Sequence, residues 1–138
     1  MVYKRLQSFP PNIQERLRLV DSATGEIDFV AEVSDEERRE NPLEAADERI
    51  GNIALVSWLR DEIRSKRSNG SNVLLSAVLY SGTHSGDLVN VNQIAILEGE
   101  LDAIDAGTEH TGYLKEFILQ MRRLIAASKE QENPIVFV

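Results

Sequence analysis

The stretch RLRLVDSATGEIDFVAEV, Arg16 to Val33, sets apolar residues at every second position on either side of a polar turn. Leu17 and Leu19 share one face, Asp21 to Gly25 are turn formers, and Ile27, Phe29, Ala31 and Val33 resume the alternation. Successive side chains of a strand point to opposite faces, so this period predicts a β-hairpin half-buried on one side. Upstream, Pro10 and Pro11 break any element between Phe9 and Ile13, which leaves residues 2 to 9 as at most a separate edge strand.

Downstream the period changes from two to between three and four. Ser34 is a helix N-cap with acids in the turn after it. From about Leu43 to Arg67, with Pro42 near the start, Ile50, Ile53, Val56, Leu59 and Ile63 recur at helical spacing. Leu55 and Trp58 widen that apolar face, so Trp58 is expected in the core rather than at a binding surface. Residues 73–80, VLLSAVLY, are apolar nearly throughout; Ser71 as a cap and Gly82 as a stop favour helix over strand. Asn90 and Gln93 form a capping box, with Val89 and Ile94 as its hydrophobic staple, so a helix starts at Val91. Its stripe is Ile94, Leu97, Leu101 and Ile104, ending at Gly107. A last helix, Tyr113 to Ser128, carries Leu114, Phe117, Ile118, Met121, Leu124 and Ile125 on one face. After Pro134, IVFV favours a strand, expected to pair with the hairpin. The expected fold class is α+β: a small antiparallel sheet, made of the N-terminal hairpin and the C-terminal strand, with three or four helices packed on it.

The 138 residues suit a single domain, able to bury roughly two-thirds of its unfolded surface without staples. Having no cysteine, the chain cannot use disulfides or thiolate chemistry, which fits a reducing, cytoplasmic setting. No secretion signal and no apolar stretch of bilayer length is found, so no membrane association is expected. A net charge of −8 and a pI near 4.8 disfavour nucleic acid and favour a basic protein partner.

One loop concentrates chemistry-bearing residues: YSGTHSGD, Tyr80 to Asp87. Tyr80, Ser81, His84, Ser85 and Asp87 could belong to a hydrolytic or small-ligand site. The loop matches neither a nucleophile elbow, since His84 and not a serine is central, nor a phosphate-binding P-loop, since no Gly-Lys-Ser/Thr follows. Neighbours within one tight loop rarely reach triad geometry, so a turn is the better reading and no catalytic residue is assigned. A zinc site would need His84 and His110 together with Asp87 or Glu109, a thin ligand set, so no metal and no cofactor are expected. An anion cradle at Gly82 and Gly86 lacks a nearby cation.

Charge is distributed unevenly. Between Arg67 and Lys115 there is no Lys or Arg, while Asp87, Glu98, Glu100, Asp102, Asp105 and Glu109 supply six acids. These read as a one-sign face for a basic partner, set against the alternative of simple solubility. A second cluster, Glu32 to Glu48, holds eight acids against Arg38 and Arg39, and Lys4, Arg5, Arg16 and Arg18 make the N-terminal part basic.

The segments LYSGTHSGDLVNVNQIAILEGELDAI, residues 79–104, and LKEFILQMRRLIAASKEQENPIVF, residues 114–137, resemble a group of small uncharacterised bacterial proteins of immunity-protein type. The whole chain, short, acidic and without cysteine, is similar in form to immunity proteins that neutralise toxins. The resemblance implies a non-enzymatic binding role toward a basic partner, such as a toxin, and supplies no catalytic residue.

Overall fold

The computed structural model describes residues 1–66, 73–80, 85–105 and 112–138. Among the described residues the fold is α+β, with five α-helices, a 3₁₀ turn, a π-helical turn and three small antiparallel two-stranded sheets. The predicted hairpin is present as β2 (Leu17–Asp21) and β3 (Glu26–Phe29), pairing Leu17 with Phe29 and Leu19 with Ile27. Its turn closes where the Gly25 N–H donates to the Asp21 carbonyl at 2.9 Å, and Asp21 Oδ1 accepts the Ala23 N–H at 2.7 Å. Gly25 has φ of 73°, and a Cβ there would run into the Asn133 side chain, so both the turn and the packing require glycine.

The edge strand at the start of the chain is β1 (Val2–Tyr3), and its partner is β4 (Glu44–Ala46). This corrects the helix expected from Leu43. The Lys4 N–H donates to the Leu43 carbonyl at 2.8 Å, so the backbone of 43–46 serves a sheet and is not available to a helix. Gly51, at φ of 143°, lies just ahead of the observed start. The Asn52 side chain accepts the Leu55 N–H at 3.0 Å, and α3 runs Ile53–Lys66. Between hairpin and β4, Ser34 and Glu37 form a reciprocal capping box on α2 (Asp35–Glu40). One helical turn, α1 (Pro11–Gln14), precedes the hairpin.

Residues Leu74–Val78 form a π-helical turn, in line with the helical reading of that run. Then come β5 (Leu88–Val89) and α4 (Val91–Asp105), with Gln93 Oε1 accepting the Asn90 N–H at 3.0 Å. Val89 and Ile94, the predicted staple, are both buried. Gly107, the expected stop, lies outside the described residues. The longest helix, α5 (Gly112–Gln131), buries all six predicted face residues.

The last strand, β6 (Ile135–Val136), pairs with β5, Leu88 opposite Val136 and Val89 opposite Ile135, and not with the hairpin. The reason lies in the packing. The chain reverses at Glu132, where φ is 54°, and Ser128 Oγ donates to the Asn133 carbonyl at 2.6 Å, folding β6 back along α5. Ile135 and Val89 are fully buried in the main core with Leu97, Leu101, Phe117 and Met121, whereas the hairpin closes a separate small cluster of Phe9, Ile13, Leu17 and Ile27. Among the described residues, no helix is long and apolar enough to cross a membrane.

Candidate functional site

The residues expected to form an acidic face sit mainly on α4, and the fold gives them different tasks. Glu100 is buried. Its carboxylate accepts the Val73 N–H at 3.0 Å and the Leu74 N–H at 2.8 Å, capping the π-helical turn across 26 residues of chain. Asp102 and Asp105 flank one guanidinium: Arg122 of α5 bonds them at 2.8 and 3.0 Å. Those hydrogen bonds, Asp102 foremost, raise the Arg122 pKa above its already high ordinary value. Lys129, two turns further along α5, reaches Glu98 at 2.9 Å.

The acidic ridge is therefore partly balanced by cations that are distant in sequence. The cations missing from residues 68–114 arrive from α5, which lies against α4, and Arg122 and Lys129 pair with Glu98, Asp102 and Asp105, two positive charges against three negative. Arg122 between Asp102 and Asp105 also removes the like-charge cost that their spacing alone would carry. Asp87 stands apart from this ridge. It follows the turn at Ser85 and Gly86, and its carboxylate accepts the Tyr80 hydroxyl, which pushes the Tyr80 pKa up. The backbone there is stitched to the C-terminal strand region, Gly86 N–H to Phe137 carbonyl at 3.0 Å and Phe137 N–H to Asp87 carbonyl at 2.9 Å. Ser81, His84, Glu109 and His110 lie outside the described residues, so the zinc and triad alternatives are not placed. Among the described residues, no three His, Asp or Glu side chains gather as metal ligands.

On α4 the side opposite the core carries Ala95, Ile96, Gly99 and Ala103, all exposed, with Ile96 at 55%. Ala95, Gly99 and Ala103 are four apart and so form one stripe, with the carboxylates of Glu98, Asp102 and Asp105 along its flank. Gly99 sits mid-helix, and a Cβ built there meets nothing within 4 Å. Sequence reasoning followed the apolar stripe of this helix and missed the small-residue stripe on its other side, although the spacing of 95, 99 and 103 was available.

A second surface feature lies between α3 and α5. Trp58, expected in the core, is 44% exposed and stands edge-on to Tyr113, ring centroids 6.2 Å apart at 74°. The core side of α3 is set by Leu59 and Ile63, and one residue back from Leu59 is about 100° around the helix, which turns Trp58 outward. The two rings border a groove of about 680 Å³. Nearby, Arg123 binds Glu48, holding that carboxyl below its ordinary pKa, and Gln120 donates to the Arg49 carbonyl at 2.9 Å. No protein-family model, curated protein or solved structure matches this chain.

Proposed function

We propose that this chain is a non-enzymatic, cytoplasmic binding protein of immunity or inhibitor type, which holds a basic protein partner, such as a toxin, against the outer face of α4. The observation that carries the reading is Gly99. Glycine in a helix interior costs roughly 0.5–1 kcal/mol relative to alanine, and among the described residues no neighbour lies within 4 Å of a Cβ at this position to require it. A stripe of Ala95, Gly99 and Ala103 lets another backbone approach closely, Ile96 supplies an exposed apolar contact, and Glu98, Asp102 and Asp105 form a charged rim. Three rim carboxylates against Arg122 and Lys129 leave a net negative edge, suited to steering a basic partner. The ion pairs also hold these side chains in place, so less rotamer freedom is lost on docking. The test is to fill the stripe at Gly99 with a bulky side chain and measure capture of the partner.

A further inference from the structure

The groove beside Trp58 and Tyr113 shares no residue with the outer face of α4, and its chemistry points to a different kind of ligand. Among the described residues its lining is Arg49, Gly51, Asn52, Leu55, Trp58 and Tyr113. The two rings form the walls, roughly perpendicular and both substantially exposed. Gly51 also lines it, packed directly on Leu55: a Cβ there would lie 2.6 Å from Leu55 Cδ2. Arg49 is the charged lining residue, it is exposed, and no carboxylate among the described residues lies within ion-pair distance of it. Asn52 spends its amide oxygen on the Leu55 N–H, which leaves its NH₂ as a hydrogen-bond donor.

Among the described lining residues the charged group is the Arg49 guanidinium, and together with the Asn52 amide donor and the two aromatic faces it matches a planar anion. One guanidinium balances one negative charge and meets a carboxylate through two parallel N–H···O bonds, so a singly charged carboxylate fits better than a doubly charged phosphate. The groove volume falls in the range of small-molecule sites, roughly 300–1,000 Å³. We infer that this groove is a binding site for a small aromatic carboxylate, its ring stacked in the Trp58–Tyr113 corner and its carboxylate on Arg49.

Trp58 is the chain's single tryptophan, so its indole N–H gives one resonance in a ¹⁵N-correlated NMR spectrum. The experiment titrates the full chain with 2-naphthoate and with its neutral counterpart, 2-naphthamide, and repeats both on Arg49→Gln. The expected result is a saturable shift of the Trp58 resonance, with naphthoate bound about tenfold more tightly than the amide, the scale of one charge-assisted hydrogen-bonded contact. In Arg49→Gln the two compounds should bind equally. Equal binding of acid and amide to the wild-type chain, a preference that survives in Arg49→Gln, or no saturable shift at millimolar concentrations would each overturn the inference. The wild-type comparison needs no variant, so it holds whether or not Arg49→Gln folds.

Discussion

Glu100 accepts the backbone N–H of Leu74 at 2.8 Å inside the core, joining α4 to a helical turn that lies 26 residues earlier in the chain. The buried carboxylate satisfies two backbone donors that begin a helical turn and would otherwise lack partners. Glu100→Gln keeps one acceptor and turns the other into a donor facing an N–H. The expected loss is about 1–3 kcal/mol, read from the denaturant midpoint at unchanged slope. An unchanged midpoint would show that Val73 and Leu74 find other partners.

Gly99→Ala should move stability the opposite way. The position is helical and open, so the added methyl meets no neighbour while the unfolded chain loses freedom. A gain of about 0.5–1 kcal/mol is expected from thermal or denaturant unfolding. Destabilisation would mean that the fold itself needs this glycine, and the argument for a functional origin would fail.

Gly25→Ala should be clearly destabilising, by more than about 1 kcal/mol, since it combines a positive φ with a collision against Asn133. Asn133 also donates to the Tyr3 carbonyl at 2.8 Å, so the clash should propagate to the β1–β4 pair. Amide hydrogen exchange at Tyr3 and Lys4 should speed up in this variant more than exchange within α4.

Acid should weaken the fold through Glu48 and Glu37. Hydrogen bonds from Arg123 and from Arg16 hold these carboxyls below the ordinary value of 4.5. A folded pKa below the unfolded one means that the stabilisation is complete above about pH 4.5 and is lost as pH falls through the depressed folded values. The unfolding midpoint should therefore change little from pH 7 to 5 and fall below that. In Arg123→Met the acid-side fall should be shallower. An identical profile for the variant would remove Glu48 from the account.

The elements that were legible in the sequence are those whose signal is local. The hairpin of Leu17 to Phe29, the Ser34 cap and the apolar face of α5 depend on neighbours within a few positions, and each formed where its pattern placed it. Residues 43–52 misled because an apolar spacing compatible with helix belongs to a stretch whose backbone is taken by Lys4 and by Gln120, far away in sequence. Strand partners were also out of reach, since β6 pairs with β5 through the reversal at Glu132. The charge map was readable as a list of acids but not as a surface. Arg122 and Lys129 had to be carried onto α4 by helix packing before the carboxylates acquired their roles.

That same packing decides how the binding reading is best tested. Replacing Glu98, Asp102 and Asp105 with Lys would set new cations against Arg122 and Lys129, so a lost complex could reflect a damaged fold. Gly99→Trp avoids this, because it changes no charge and its Cβ, on the exposed side of α4, meets no described atom within 4 Å. The measurement is capture of a basic protein from the source cell by the wild-type chain, followed by the dissociation constant of the purified pair for wild type, Gly99→Trp and Gly99→Ala. Gly99→Trp is expected to keep the wild-type circular dichroism and to lose at least about 100-fold in affinity, some 2.7 kcal/mol. Gly99→Ala should lose far less, and wild-type association should slow as salt rises. A folded Gly99→Trp chain that binds the same partner at wild-type strength would contradict the outer face of α4 as the docking surface.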